Sequence, residues 1–177
     1  MYMKKNENRG FTLVELIVSV AILGIIVIGA GAFMVAGTRT YSSLNYSVRL
    51  QYEAQLAMAQ LQEYTVDCTT GMAWDATEAA LYIANGSTVH IFDYDETSQT
   101  LSYGTGTAAE NLSFTADAMC AEHVADMDVE LLNAGKQVEI TLTMTRGNKT
   151  YVATQVIALR NQPVQAENWA ELWSKIK

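Results

Sequence analysis

The sequence is poor in residues that break helices or carry chemistry. It has one proline, two histidines and two cysteines among 177 residues. Basic residues are also few, because 11 Lys and Arg stand against 19 Asp and Glu, which gives a formal net charge of −8. A protein that neutralises nucleic-acid phosphates needs basic surface, so this balance disfavours nucleic acid as a partner.

The few residues suited to catalysis or metal binding form no recognisable motif. His90 and His123 have no Cys, Asp or Glu at ligand or triad spacing, so both are predicted to be structural. Residues 93–99 begin like an EF-hand calcium loop, but Ser98 stands where that loop needs Gly and Gly104 where it needs Glu. An acidic hairpin turn is therefore favoured. Without a glycine-rich phosphate loop or a nucleophile elbow, the sequence predicts no enzyme, no cofactor and no metal.

The two cysteines, Cys68 and Cys120, lie far apart and match no metal-ligand spacing. They are compatible with a disulfide or with two buried thiols. An extracytoplasmic location would favour the disulfide.

A long uncharged run near the amino terminus predicts a membrane anchor. Residues 16–36 carry no charge, and their length as a helix is roughly the 30 Å of a bilayer's hydrocarbon core. Lys4, Lys5 and Arg9 precede the run and Arg39 follows it. The positive-inside bias places the leader in the cytoplasm and the chain after Arg39 outside.

An acid interrupts the start of this apolar segment, in the string Arg9-Gly10-Phe11-Thr12-Leu13-Val14-Glu15-Leu16. The string resembles the processing site of type IV prepilins and type II secretion pseudopilins. The resemblance implies that a prepilin peptidase cuts after Gly10, that Phe11 becomes the N-methylated terminus, and that Glu15 meets the terminal amine of a neighbouring subunit. Two ions that are each costly in lipid become tolerable when paired, so this contact would set subunit register.

Two alternatives concern the same segment. In the first, the carboxylate of Glu15 lies near the membrane–water interface and stays hydrated without a partner. Residues 30–32, Ala-Gly-Ala, also look like a signal-peptide cleavage site after an apolar run. Glu15 and the helical pattern that continues after residue 36 both disfavour removal of the segment.

The helical pattern continues from residue 41 to about residue 64, which predicts one helix of about 54 residues, roughly 80 Å long. This helix carries two apolar stripes on nearly opposite sides. One stripe is predicted to pack on the chain's own domain and the other on neighbouring subunits; the alternative is a helix fully buried in a larger domain. The first stripe comprises Tyr41, Leu44, Val48, Tyr52, Leu56 and Ala59, and the second comprises Leu50, Ala54, Ala57 and Leu61.

Beyond residue 80 apolar residues recur at every second position, and this alternation indicates strands. Residues 81–84 and 89–94 flank Asn85-Gly86, and residues 100–103 add a third strand. A second hairpin joins residues 138–145 to 151–159. Residues 68–77 are predicted to be the loop that joins helix to sheet. The predicted class is α+β, a pilin fold with a long helix packed on an antiparallel meander.

The predicted organisation has five segments. These are a cytoplasmic leader 1–10, a transmembrane and assembly helix 11–36, an amphipathic continuation 37–64, a β-rich domain 65–162 and a tail 163–177. In the tail, Trp169, Leu172, Trp173 and Ile176 share one helical face. Trp169 and Trp173 are expected either to fold back on the domain or to contact another minor subunit.

Residues 49–61, 110–112 and 158–161 look similar to J-type minor pseudopilins and their pilin counterparts. Many major pilins carry a kinking proline in the apolar segment, where this chain has Gly24, Gly29 and Gly31. The resemblance implies a structural minor subunit of a type IV pilus or of a type II secretion-like filament. Some pseudopilins assemble a calcium site from loops, an alternative that stays open here without located ligands.

The resemblance also implies partners and a location. The partners are the prepilin peptidase, other pilin or pseudopilin subunits and the inner-membrane assembly platform. The chain would cross the cytoplasmic membrane once, with its carboxyl-terminal domain outside, and then enter a filament in the periplasm or on the cell surface. The alternatives are a competence pseudopilin for DNA uptake and a single-pass, membrane-tethered binding domain.

Overall fold

The protein is described by a computed structural model covering residues 11–133 and 136–177. The predicted leader, including Gly10, lies outside the described residues. The first element, α1, is a continuous helix of 54 residues from Leu13 to Val66, so the predicted long helix is confirmed. The chain divides into two compact units, one ending at Leu44 and the other comprising Asn45–Lys177.

The second unit contains the end of α1, two sheets and a short helix. Within the described residues there are nine strands, whose bounds follow. They are β1 Gly71–Asp75, β2 Ala80–Asn85, β3 Thr88–Asp95, β4 Thr100–Thr107, β5 Thr115–Ala121, β6 Val124–Leu132, β7 Gln137–Arg146, β8 Lys149–Ala158 and β9 Val164–Ala166, before helix α2 Trp169–Ile176.

Both predicted hairpins are present, and a glycine closes each turn. Asn85 pairs with Thr88 across the β2–β3 turn, where Gly86 has φ of 63°. Arg146 pairs with Lys149 across the β7–β8 turn, where Gly147 has φ of 62°. A glycine adopts this left-handed conformation without steric cost, which is why these turns are visible in the sequence.

The predicted α+β class, a long helix packed on antiparallel strands, is confirmed, although the strands form two sheets and not one meander. One has the order β5-β4-β3-β2-β1-β9 and the other β6-β7-β8. Strand β9 is parallel to β1, whereas the other strand pairs are antiparallel. The predicted loop at residues 68–77 is wrong, since it contains β1. That strand is short and its first three residues are all buried, so it lacks the alternation that marks a half-buried strand.

The second stripe of α1 forms part of the main hydrophobic core. Leu50, Ala54, Ala57 and Leu61 are at most 1% exposed, and they pack with apolar residues of both sheets, including Phe92 and Leu142. The predicted contact between this stripe and the chain's own domain is therefore confirmed.

A second, smaller core lies on the other face of the six-stranded sheet. Alternate residues of β2 and β3, such as Tyr82 and Ile91, pack there with Trp169 and Leu172 of α2. Their neighbours in sequence, such as Leu81 and Phe92, belong to the main core. The six-stranded sheet thus has an apolar layer on each face, as its alternating side chains require.

Candidate assembly and processing site

The predicted processing site lies at the start of α1, where the described chain begins. Gly10 is outside the described residues, and the side chain of Phe11 is 81% exposed. Glu15 occupies the first turn of the helix and is exposed. An acid in the first turn interacts favourably with the positive end of the helix dipole.

Thr12 and Glu15 cap the helix reciprocally. The backbone N–H and the hydroxyl of Thr12 each donate a hydrogen bond to Glu15 Oε2, both at 2.9 Å. The backbone N–H of Glu15 donates in return to Thr12 Oγ1 at 3.3 Å. This is a capping box, in which two otherwise unpaired backbone donors are satisfied by side chains.

Thr12 is a functional residue that the sequence reasoning missed. The sequence does contain a signal for this role. A capping box has Ser or Thr followed three residues later by Glu, and here the pair stands ahead of an apolar run. The cost of a charged Glu15 in lipid predicts an external partner for its carboxylate. The structure adds an internal one.

The first part of α1 is exposed along its whole circumference. Every side chain from Phe11 to Ser42 is exposed, including large apolar ones such as Leu23 at 60% and Phe33 at 80%. This part of the helix is long and apolar enough to cross a membrane. Apolar surface of this extent needs lipid or another protein around it.

The first apolar stripe stays exposed as it passes into the second unit. Val48 and Tyr52 are each 62% exposed and Leu56 is 47% exposed. Tyr41 and Leu44, which precede them in the first unit, are 74% and 60% exposed. The helix is therefore not fully buried in a larger domain, which was the alternative.

Cys68 and Cys120 are free thiols in the structure. Cys68 is buried, and its Sγ donates to the carbonyl oxygen of Gly71 at 3.3 Å. Burial raises the pKa of the Cys68 thiol to about 12, and burial likewise raises the pKa of the half-buried Cys120 to about 11. Both groups are thus protonated at neutral pH, which makes them poor nucleophiles.

The two histidines make contacts of a structural kind. The ring of His90 packs against Tyr64 of α1 with centroids 4.6 Å apart and the planes inclined by 34°, and its Nδ1 lies 2.9 Å from the hydroxyl of Tyr103. Burial lowers the pKa of His90, which favours the neutral ring. His123 lies in the short β5–β6 connection with φ of 61°, and its Nδ1 is 3.4 Å from Glu53 Oε2.

The predicted acidic turn between β3 and β4 is confirmed. Asp95 accepts a hydrogen bond from the backbone N–H of Thr97 and another from the hydroxyl of Ser98, both at 2.8 Å. These bonds lower the pKa of Asp95, with the Ser98 hydroxyl as the largest cause. The carboxylate at the third position of the calcium-loop pattern is thus used to shape a hairpin.

The tail folds back on the domain, the first of its two predicted alternatives. Trp169 is 7% exposed, and its indole N–H donates to the carbonyl oxygen of Ala109 at 2.9 Å. Trp173 stacks on Trp169 with centroids 6.1 Å apart and is only half-buried. Asn168 caps α2 by accepting from the backbone N–H of Glu171 at 2.9 Å.

Comparison with known families agrees with the features at the amino terminus. The family described as the prokaryotic N-terminal methylation motif matches residues 5–31. A search of curated proteins found no match to the chain. The motif and the long apolar helix support a type IV pilin-like prepilin that is anchored in a membrane. They also imply processing by a prepilin peptidase and assembly with other pilins, and they indicate a structural subunit instead of an enzyme.

Proposed function

We propose that this protein is a structural minor subunit of a type IV pilus or of a type II secretion-like filament. A prepilin peptidase cuts it after Gly10, the new terminus at Phe11 is N-methylated, and Glu15 fixes its register against a neighbouring subunit. Its carboxyl-terminal domain lies outside the cytoplasmic membrane. The protein then moves from that membrane into the filament.

The observation that carries the proposal is the exposure of every side chain from Phe11 to Ser42, next to a processing motif. The domain's own core draws on the helix only from Leu50 onward. The preceding apolar surface therefore needs another environment, which is lipid before assembly and the helices of other subunits afterwards.

The capping box suggests how Glu15 is accommodated in both environments. In the single chain, Thr12 provides two hydrogen bonds to the carboxylate, which reduces the cost of an acid in lipid. Both bonds reach the same oxygen, Oε2. A charged amine on Phe11 of an incoming subunit would find the other oxygen, and an ion pair in low dielectric is much stronger than one in water.

The exposed stripe at Val48, Tyr52 and Leu56 supports further contacts with neighbouring subunits. It lies opposite the stripe that enters the core, so the helix presents an apolar face that the chain's own sheets leave uncovered. Two features of the sequence favour a minor subunit over a major pilin. One is the presence of glycines at 24, 29 and 31 where many major pilins have a kinking proline, and the other is the similarity to J-type subunits.

The deciding experiment is the mass and amino-terminal sequence of the protein purified from its native membranes, with and without the prepilin peptidase. A chain that begins at methylated Phe11 only when the peptidase is present is the expected result. A chain that begins at Phe33 would instead identify a secretory signal peptide. A chain uncut in both strains would identify a tethered binding domain, and either outcome would overturn the proposal.

A further inference from the structure

The outer edge of β8 has no strand beside it among the described residues. β8 lies at one end of the sheet β6-β7-β8 and pairs there with β7 alone. Its register with β7 runs without interruption over ten residues, from Lys149 to Ala158. Outside the strand pairings, no backbone hydrogen bond within residues 11–133 and 136–177 involves β8. One side of the strand therefore leaves its backbone donors and acceptors to solvent.

The register identifies which backbone groups point outward. Arg146 and Lys149 flank a two-residue turn, so they form a hydrogen-bonded pair, and such pairs alternate along the hairpin. Thr141 and Thr154 belong to the other kind of pair, in which side chains lie closer, and their hydroxyl oxygens are 3.1 Å apart. The outward groups therefore belong to every second residue of 150–158.

The same alternate residues carry exposed, uncharged side chains. All five are exposed, and among them Val152 is 54% and Val156 is 48% exposed. No Asp, Glu, Lys or Arg occurs in residues 150–159. A long, regular edge with β-branched side chains and no charge is a template on which a further strand can pair.

The other three sheet edges within the described residues carry features that hinder such pairing. The pairing of β5 with β4 contains two register shifts, and β5 includes the exposed Asp117. β9 has three residues and follows Pro163. β6 begins with a bulge and carries the exposed Asp126 and Asp128. Bulges, charges, proline and short length protect strand edges, so β8 is the edge suited to a partner strand.

Charge restricts the kind of strand that fits. Residues 146–160 include Arg146, Lys149 and Arg160 but no acid, in a chain whose formal net charge is −8. Arg160 pairs with Asp67, whereas Lys149 has no ion-pair partner among the described residues. An acid of the incoming strand that meets Lys149 is therefore favourable.

A second copy of this chain fits the edge less well. Antiparallel pairing centred on Thr154 would place Lys149 of each copy opposite Leu159 of the other copy. Lys149 would then lie next to Arg160 of the other copy at both ends of the pair, and neighbouring like charges are destabilising. The charges thus favour a strand of a different polypeptide.

We propose that the outer edge of β8 binds an extended segment of another polypeptide by strand addition. The segment is uncharged and β-branched at its centre and has an acid that meets Lys149. Its backbone bonds to the outward groups of Val152, Thr154 and Val156, and its side chains cover the two valines. This contact is separate from the contacts of α1 in the proposed function and does not depend on processing.

The test uses the full chain in detergent micelles and the peptide Asp-Thr-Val-Thr-Val-Thr-Asp, labelled with fluorescein at its amino terminus and amidated. Fluorescence anisotropy is expected to show saturable binding that weakens as salt is raised. The same peptide with Lys in place of both Asp residues should bind more weakly, because its ends meet Lys149. A peptide with Pro in place of the central Thr should also bind more weakly, because Pro lacks the backbone donor.

Amide hydrogen exchange, followed by NMR, locates the bound peptide. In the chain alone, the N–H groups of Val152, Thr154 and Val156 should exchange fast, whereas those of Tyr151 and Ala153 are protected by β7. The acidic peptide at saturation is expected to slow exchange of the first three groups by about tenfold or more. Exchange of the other two should change little.

Thr154→Pro and Thr154→Ala form a matched pair of variants. Both lose the hydroxyl contact with Thr141, but only proline removes the outward N–H, and an edge strand tolerates proline at such a position. Thr154→Pro is expected to bind the acidic peptide about tenfold or more weakly than Thr154→Ala. Lys149→Glu leaves the backbone of β8 intact and should reverse the preference between the acidic and basic peptides.

Four results would overturn the proposal. The first three are absence of saturable peptide binding, equal binding by Thr154→Pro and Thr154→Ala, and binding that leaves the exchange of Val152, Thr154 and Val156 unchanged. The fourth is a second copy as the occupant. Sedimentation of the chain without peptide would then show an oligomer that Thr154→Ala retains and Thr154→Pro lacks.

Discussion

The two halves of α1 belong to one unbroken helix but have different surroundings. From Phe11 to Ser42 every side chain is exposed, whereas after Asn45 one stripe of the helix is buried against two sheets. The second half contributes one stripe to the main hydrophobic core of the second unit. The apolar surface of the first half is thus free for lipid and for other subunits, and the predictions below change matched residues in the two halves.

The largest difference is expected between two acids. Glu15→Gln keeps a side chain that can cap the helix at this position but removes the charge. Its incorporation into filaments is expected to fall roughly tenfold or more, because a charge-assisted hydrogen bond to the neighbour's amine is worth more than a neutral one. Quantification of the subunit in sheared filaments and in membranes provides the measurement.

The matched control is Glu63→Gln, which removes an exposed acid from the second half of the same helix. It should assemble normally, and both variants should have the melting temperature of the unchanged domain. Normal assembly of Glu15→Gln would contradict the role of the charge in register.

A leucine in each half gives the next comparison. Leu61 is fully buried, so Leu61→Ala is expected to lower the free energy of unfolding of the domain by about 2–5 kcal/mol, through lost burial and a cavity. Leu23 is 60% exposed, so Leu23→Ala should leave that free energy within about 0.5 kcal/mol. Denaturant unfolding in a mild detergent, followed by near-UV circular dichroism, measures both; equal losses would show that the domain depends on the first half.

Two glycines extend the comparison from the helix to the sheet. A Cβ at Gly104 would overlap the carbonyl oxygen of Thr115 and lie 2.9 Å from Phe114 Cδ2, so Gly104→Ala is expected to cost about 1–3 kcal/mol. A Cβ at Gly24 meets nothing within 4 Å, and Gly24→Ala should strengthen the helix by roughly 0.5–1 kcal/mol. Thermal unfolding of the domain tests the first, and helicity in micelles by far-UV circular dichroism tests the second.

The smallest effect concerns pH and the contact of α1 with His90. Burial lowers the pKa of His90 in the folded state, so the unfolded chain takes up this proton first as the pH falls. Stability from this group is therefore present above its ordinary pKa of about 6.5 and is lost as the pH falls below that value. His90→Phe retains a ring to pack against Tyr64, and its loss of stability from about pH 7 to pH 5 should be smaller than that of the unchanged chain. An identical pH dependence for the two proteins would exclude His90 as the cause.

Much of the local structure follows from short-range patterns. The helical period and the lack of proline before Pro163 predict α1, and the spacing of Trp169, Leu172, Trp173 and Ile176 predicts α2. The glycines of the β2–β3 and β7–β8 turns predict both hairpins. At the proposed assembly site, the motif predicts Phe11 and Glu15, whereas the hydrogen bonds of Thr12 are evident only from the structure.

Two of the strands that escaped prediction lack a usable apolar pattern, since β5 is exposed over most of its length and β9 has only three residues. Their existence depends on a neighbouring strand that supplies the hydrogen bonds. Strand β6 could have been predicted, because Met127, Val129 and Leu131 alternate with acidic residues after the bulge at Ala125.

The sequence by itself determined the elements whose causes are local, namely the long helix, its amino-terminal motif, its two apolar stripes and the glycine turns. Only the tertiary structure decided which stripe is buried, how nine strands divide between two sheets within the described residues, and that β9 joins β1 in parallel. These features depend on contacts between residues distant in sequence, and the free energy of such contacts is set by packing and not by any pattern along the chain.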